Sequence, residues 1–592
     1  MESFSTLGEL ILFQASKFNN PKALNWIPDF KKNNSFHSFS SQEFLTKIFH
    51  FACGLRELGL KKQQTLVNFS YQNPIWLIVD LGTILAGGVT VPIFHNISRQ
   101  NLLYEICDAK TQYAKTQYVF TDNAEFFEIV KDVNFDLTII TCGFVKENSV
   151  SFEDLIALGQ KAAAAKKYDF DSLLKALNPQ DLATIIYTSG TTGKPKGVKL
   201  SHQNLISQIK DAAQFFPLFK EDKALSFLPL AHIFERMVVM FYISRGISVY
   251  FADDVKNVGT LLKELKPTIL TSVPRVLEKV FLHIRQEVNG GSFLKKFFGQ
   301  KALKRALTKN IDTAKNFCDK NFDLLVYQKF RAALGGNIRM IICGGAALSQ
   351  DLERFYNNIG INLFCGYGTT ESSPVLSANC EKAYKFATVG KAFPSVELKV
   401  AADGELLARG LNIMLGYHNQ PQETAAIIEN GWLKTGDLAQ IDEAGFVTIT
   451  GRKKELFKTA NGKYVSPVPI EQKLVQNLEF LLGAVIIAEG KKFTSALLFC
   501  DFEVLKKTKE KFGFSEDDEK FLKSENLQRF VQKNIEEINK NLDNWEQIKK
   551  FYLALENISI ESGEITPSMK LKRKVLEEKY KNVIDEFYCE KF

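Results

Sequence analysis

Tyr187-Thr-Ser-Gly-Thr-Thr-Gly-Lys-Pro-Lys-Gly197 is the stretch on which the reading of this chain turns. It follows an apolar run, Asp181-Leu-Ala-Thr-Ile-Ile-Tyr-Thr188, with the composition of a buried strand. A run of Ser, Thr and Gly turns hydroxyls and backbone N–H groups toward an anion, and its glycines let the chain approach phosphate closely. Lys194 and Lys196 add positive charge. The loop lacks the GxxxxGK[ST] pattern, so P-loop NTPase chemistry is not implied. An eleven-residue segment of this composition behind a strand is read as a phosphate cradle rather than a plain flexible turn.

Outward from this loop, short β-branched or apolar runs alternate with helical patterns. They lie near 65–69, 90–94, 118–121, 137–141, 183–188, 247–251 and 338–343. Such alternation predicts an α/β fold, with mixed and parallel sheets covered by helices. The apolar run Ile75 to Phe94 is long enough to span a bilayer, but it carries Asp80, Gly82, Gly87, Gly88 and Pro92. A helix that ends at the glycines and passes into a strand is the preferred expectation. At 592 residues the chain exceeds one ordinary core. A boundary is placed at Arg452–Lys454, giving a large region 1–452 and a small α+β domain 453–592. Ser515 to Lys550 reads as a solvated helix pair.

Hydrophobic residues make up 45% and charged residues 24%, which excludes disorder and fibres. The formal charge of +8 is mild over this length and suits an anionic substrate or an acidic membrane surface. The basic residues do not form a nucleic-acid recognition module. Nine scattered cysteines without a CxxC pair read as reduced thiols in the cytoplasm. No HExxH is present, and the N-terminus lacks a basic secretory n-region. Residues 284–310 interleave lysines and arginines with Phe293, Leu294, Phe297 and Phe298. Such a helix can lie on an anionic membrane as a peripheral contact. A surface helix packing those side chains inward is the preferred reading.

Further motifs follow the loop in order: Leu228-Pro-Leu-Ala-His-Ile-Phe-Glu-Arg236, Cys343-Gly-Gly-Ala-Ala347, Gly366-Tyr-Gly-Thr-Thr-Glu371, Trp432-Leu-Lys-Thr-Gly-Asp437, Gly451-Arg-Lys-Lys454 and Ile565-Thr-Pro-Ser-Met-Lys-Leu-Lys-Arg573. With the loop they resemble the signature set of the adenylate-forming superfamily, the AMP-dependent synthetases and ligases. The segments around His232 and Lys570, the basic insertion and the length resemble its long-chain fatty acid–CoA ligases. The resemblance implies an acyl-CoA synthetase-like fold with a mobile C-terminal domain. It implies ATP and Mg2+ as cofactors and CoA as co-substrate. A fatty acid would be converted to acyl-AMP and then to acyl-CoA.

The resemblance also assigns roles. The phosphates would be held by Thr188, Ser189, Gly190, Thr191, Thr192, Gly193, Lys194 and Lys196. Gly344, Gly345 and Ala346 would border adenine and the acyl group. Gly366, Tyr367, Gly368 and Thr369 would form the adenine shelf. Asp437 and Arg452 would hold the ribose, and Lys454 would be the hinge. Lys463 would line the thiol-accepting arrangement. Thr370 would bond the α-phosphate, while Glu371 and Ser189 would bind magnesium. His232 would gate the acyl and thiol tunnels. Lys570 would be the catalytic cation, with Lys572 as the alternative because Ser568-Met569 stands where many relatives have Ser-Gly. Acyl carrier protein as acceptor, an aryl or medium-chain acid as substrate, and a non-catalytic lipid-binding scaffold are the other readings. Oligomeric state, monomer or homodimer, is left open.

Overall fold

The computed structural model describes residues 4–28, 35–110, 117–131, 136–188, 194–311, 322–453, 456–512, 517–556, 562–566 and 571–589, and singly 133, 514, 558 and 559. Within them the α/β expectation holds. All seven expected strands form, at Thr65–Phe69, Val89–Pro92, Gln117–Thr121, Leu137–Thr141, Leu182–Thr188, Ser248–Phe251 and Met340–Cys343.

They belong to two large sheets. One has eight strands in the order Gly416–Tyr417, Lys196–Ser201, Leu182–Thr188, Val89–Pro92, Thr65–Phe69, Gln117–Thr121, Leu137–Thr141, Ser149–Ser151. From Leu182–Thr188 onward its neighbours are parallel, and Lys196–Ser201 runs antiparallel to Leu182–Thr188. The other has nine strands, with a parallel centre from Asn362–Gly368 through Met340–Cys343, Ile269–Ser272, Lys223–Ser226 and Ser248–Phe251 to Leu24–Trp26. One shared apolar core runs from Leu66 and Ile186 to Met340 and Leu376 and so joins both sheets. A third, antiparallel sheet holds Val396–Val400, Glu405–Gly410, Trp432–Ile441 and Val447–Arg452.

The apolar run after Ile75 behaves as expected. Asn73 caps a helix at Pro74–Leu85, accepting from the N–H groups of Ile75 (2.8 Å) and Trp76 (3.2 Å), and Pro74 supplies a φ already set for the first turn. The chain then enters the strand Val89–Pro92. No helix among the described residues is long and apolar enough to cross a membrane.

The C-terminal residues build separate cores. One surrounds Ile470, Leu474, Leu498, Val531 and Ile535; the other surrounds Val485, Phe499, Leu576 and Ile584. They sandwich a sheet of Leu481–Ile487, Thr494–Cys500 and Ile548–Ala554. The expected helix pair at 515–550 forms in part, as Asp518–Leu522 and Glu525–Asn539. Its last residues are corrected to strand: Ile548–Ala554 pairs in parallel with Thr494–Cys500, where Leu553 is buried. Packing against the apolar sheet overrides the charged, helix-favouring composition there.

The inward-packing expectation for Phe293, Leu294, Phe297 and Phe298 is also overturned. They lie on a helix Phe293–Thr308, and all four are exposed. The small residues Gly299, Ala302 and Ala306, with Leu303, take the buried side instead.

Candidate active site

Thr188, the turn 344–346 and residues 366–368 lie at the carboxyl ends of strands of the two large sheets, where open α/β sheets bind ligands, while Asp437 and Arg452 lie on the third, antiparallel sheet. Thr188 ends its strand and pairs in register with Lys196. Ser189, Gly190, Thr191, Thr192 and Gly193 lie outside the described residues. On the near side of the loop, Tyr187 donates its hydroxyl to Asp108 Oδ2 (2.7 Å). On the far side, Lys196 forms an ion pair with Glu423 and lies over the Tyr417 ring (5.1 Å), while Lys194 lies over Tyr104 (5.6 Å).

In the second sheet, Met340–Cys343 ends in the turn carrying Gly344, Gly345 and Ala346. A Cβ at Gly344 would stand 3.1 Å from Phe234 Cζ, so this turn touches the start of the helix Ile233–Ser244. His232 caps that helix, its Nδ1 accepting from the Phe234 N–H (3.2 Å), and its ring meets Phe94 edge-on at 6.4 Å. The predicted gate residue and the predicted acyl-side turn are therefore neighbours through Phe234.

The strand Asn362–Gly368 carries Gly366, Tyr367 and Gly368 into a short 3-10 turn, Thr370–Ser372. Only glycine fits at 368, because a Cβ would fall 1.8 Å from the Pro374 carbonyl oxygen. Thr369 donates its N–H to Ser372 Oγ (3.0 Å), which closes the turn. Asn412 locks the segment by donating to the carbonyls of Ser372 (2.9 Å) and Val375 (3.1 Å). The Met414 N–H donates to the Glu371 carbonyl (2.9 Å).

Asp437 is buried at 3% exposure, and its two oxygens have different partners. Oδ2 accepts from the Tyr367 hydroxyl (2.5 Å), and Oδ1 accepts from Arg452 Nε (2.9 Å). Register pairing of Asp437 with Arg452 across two strands fixes that geometry. Burial first, then the Asp437 carboxylate, holds the Tyr367 phenol well above the usual range, so it remains a donor. The structure thus joins the predicted adenine and ribose residues directly.

Tyr417 is a residue that sequence reasoning missed. Its hydroxyl donates to Glu371 Oε1 (2.8 Å). It reaches this place because Gly416–Tyr417 adds a strand to Lys196–Ser201, immediately after the phosphate loop. The Gly-Tyr dipeptide was the available signal, but nothing local announces its pairing. With Glu371 as the metal ligand that the resemblance implies, we expect Tyr417→Phe to raise the metal concentration needed for half-maximal activity about 10- to 150-fold, as for one lost hydrogen bond to a charged group, with kcat nearly kept at saturating metal. A metal titration of pyrophosphate exchange reads this, and an unchanged titration would refute the link.

The small domain meets the large region near the same turn. Gln472 donates to the Ala347 carbonyl (3.2 Å), and Arg285 pairs with Glu479 (3.0 Å). A cleft of about 550 Å3 lined by Arg275, Leu303, Ser349 and Val475 lies there and holds none of the predicted site residues. Lys454 and Lys570 lie outside the described residues. The flanks of Lys570 are drawn together, with Ile565 bridged to Leu571 and the Lys572 N–H donating to the Glu564 carbonyl (2.7 Å). Arg573 then anchors the segment through Glu471 Oε1 (2.6 Å) and the Ile486 carbonyl (2.8 Å). Lys463 stays within the small domain, over the Trp545 ring (5.0 Å), and is not part of the Asp437 cluster.

Two buried acids at the helix that His232 caps, Asp80, held by Arg236, and Glu235, within the helix, act on stability. Arg236 grips both oxygens of Asp80 (3.0 and 2.8 Å) and donates to the hydroxyls of Thr184 (2.7 Å) and Thr90 (3.0 Å). Glu235 accepts from the Ser226 hydroxyl (2.5 Å), while its Oε2 is buried without a partner. Burial pushes Glu235 up to about 8. Between about pH 4.5 and 8 the native state keeps a proton that the unfolded chain has lost, so stability falls as pH rises through that window. Glu105 is likewise pushed up to about 8. Unfolding titrations at pH 5 and pH 8 should therefore show Glu235→Gln reducing the pH slope without abolishing it. An unaltered slope would mean that Glu235 is ionised in the native state.

Mixed and parallel sheets covered by helices, a joined Tyr367–Asp437–Arg452 cluster and a smaller C-terminal domain define an acyl-CoA synthetase-like fold. Comparison with known proteins agrees. The family model described as AMP-binding enzyme matches residues 14–418, and the AMP-binding enzyme C-terminal domain matches 455–591. The chain belongs to the AMP-binding enzyme family. It is 35% identical over 558 residues to the long-chain-fatty-acid–CoA ligase FadD15 of Mycobacterium bovis, covering 91% of this chain and 90% of that one. It is 29% identical over 630 residues to the long-chain-fatty-acid–CoA ligase ACSBG1 of Rattus norvegicus, covering 99% and 86%. The adenylation domain of a carboxylate reductase from Mycobacterium chelonae superposes with a TM-score of 0.77 at 18% identity, covering 100% of this chain and 92% of that one.

Proposed function

We propose that this enzyme activates a long-chain fatty acid with ATP and transfers the acyl group to CoA. The observation that carries the adenylation half is the paired hold on Asp437 by Tyr367 and Arg452, beside the turn that carries Glu371. Its full-length similarity to ligases named for long-chain fatty acids supports the choice of acid, and favours CoA over acyl carrier protein.

A carboxylate cannot lose oxide to a thiol, so it must first be given a better leaving group. A carboxylate oxygen attacks the α-phosphorus of ATP, the Pα–O–Pβ bond breaks, and pyrophosphate leaves. CoA sulfur, losing its proton, then attacks the acyl carbon and AMP leaves. The first step brings two anions together, so cations must offset the repulsion. Asp437 accepts from the ribose hydroxyls, and the Tyr367 ring supports adenine. Lys194 and Lys196 supply charge at the phosphates, and Thr370 bonds the α-phosphate. Lys570 is assigned the mobile cation, Lys454 the hinge, and His232 the gate.

Magnesium fits Glu371: one half-buried carboxylate, aimed by Tyr417, is what an ion bound mainly through substrate phosphates requires. When bound, the ion supplies charge neutralisation on the phosphates. The division into an adenylating region 1–452 and a mobile domain 453–592 belongs to the same proposal. The described cysteines are free thiols, which agrees with a cytoplasmic setting.

The test is a pyrophosphate-exchange panel over acids of graded chain length, followed by CoA-dependent AMP release. We expect exchange to rise with chain length, and AMP release to require both acid and CoA. Lys570→Ala should lower adenylation more than thioester formation from preformed acyl-AMP. Absence of exchange with every acid would end the proposal.

A further inference from the structure

The helix Phe293–Thr308 is one arm of a helical hairpin. It follows Pro274–Gly290 after a turn at Gly291 and Ser292. The two arms cross closely, since a Cβ at Gly299 would stand 2.7 Å from Val288 Cγ1. The far end is pinned to the body, where Asn358 donates to the carbonyls of Ala306 and Lys309 (2.9 Å each). The near end is bare: Phe293 is 84% exposed, Leu294 66%, Phe297 54% and Phe298 51%. At 3.6 residues per turn these four occupy one arc of roughly 140°. Lys301 and Lys304 continue the same arc, and Lys295 and Lys296 flank it; all four lysines are exposed. The helix carries no Asp or Glu. Leu324 and Leu325, 66% and 64% exposed, stand on the turn Asp323–Tyr327 packed against it.

Adjacent exposed large side chains of this kind mark an interaction surface rather than ordinary surface scatter. Charge complementarity selects the occupant. An apolar tip collared by lysines matches a bilayer with acyl chains below and anionic headgroups above. A second copy would bring the same acid-free basic face against itself. We propose that this hairpin tip docks on an anionic lipid bilayer, with Phe293, Leu294, Phe297 and Phe298 entering the acyl boundary and Lys301 and Lys304 meeting lipid phosphates. The inference goes beyond the ligase activity and does not depend on it.

The test is co-sedimentation of the full chain with vesicles of phosphatidylcholine alone, or of phosphatidylcholine mixed equally with phosphatidylglycerol. Wild type should partition at least about tenfold better onto the anionic vesicles, and high salt should erase the difference. Phe297→Ser with Phe298→Ser should lower partitioning at least about tenfold on the anionic vesicles, from the lost apolar burial. Lys301→Gln with Lys304→Gln should lower it about tenfold on anionic vesicles only. Activity on a water-soluble acid should stay unchanged in both variants. Wild type remaining in the supernatant, or variants sedimenting like wild type, would overturn the proposal. So would a lipid-free dimer, seen by sedimentation velocity, that the phenylalanine pair dissolves.

Discussion

Glu371→Gln should lower the rate of acyl-adenylate formation about 100- to 1,000-fold, the usual cost of removing one group that stabilises transition-state charge. The substitution keeps the side chain's size and can still accept from Tyr417, which bonds Glu371 Oε1 (2.8 Å). What it removes is the negative charge that a divalent cation needs. The turn should persist, because its closure comes from the Thr369–Ser372 and Asn412 contacts and from the Met414 N–H, none of which uses the carboxylate. Thioester formation from preformed acyl-AMP has already lost pyrophosphate and should fall much less. Rapid-quench measurement of the two half-reactions over a magnesium series reads both effects. An equal loss in the two halves, insensitive to metal, would place Glu371 outside the metal's reach.

Asp80→Ala should destabilise the large region by about 3–5 kcal/mol, because it leaves the buried Arg236 guanidinium without its counter-charge. Arg236 and Asp80 are 1% and 0% exposed, so water cannot replace the lost partner. Chemical unfolding should report the loss. Replacing both, as Asp80→Leu with Arg236→Met, should cost less than the single change, since a well-packed apolar pair removes the stranded charge. If the single variant loses less than about 1 kcal/mol, Arg236 is not left with an uncompensated buried charge. Arg236 closes the motif that begins at Leu228, yet its four hydrogen bonds all run to the scaffold. It ties Thr90 and Thr184 of one large sheet to Asp80 of the helix Pro74–Leu85.

The sheet strands were legible because each is a short β-branched run between turn signals, and burial on both faces leaves that pattern little freedom. The candidate adenine and ribose residues stand out in the sequence because they sit within ordered motifs, and the structure joins Tyr367, Asp437 and Arg452. Residues that act by register were not. Tyr417 reaches Glu371 only because a two-residue strand pairs with Lys196–Ser201, more than two hundred positions away. The exposure of Phe293 to Phe298 was misjudged for a related reason: composition predicts an amphipathic helix but cannot tell which face its neighbours cover. Here Gly299 and Ala302 allow the closer approach, and the larger side chains are left outside. Residues 548–550 read as helix by charge and became strand by packing.

Adjacent positions on one helix of the small domain serve opposite sides of the interface: Glu471 grips Arg573, and Gln472 grips Ala347. The first bond is internal to the small domain, so it would travel intact through any reorientation. The second is a single neutral amide contact, worth about 1 kcal/mol net. Loosening that contact is within reach of thermal fluctuation, and the half-exposed Arg285–Glu479 pair is a second link across the interface. Arg573 would move as cargo with the helix that holds Glu471.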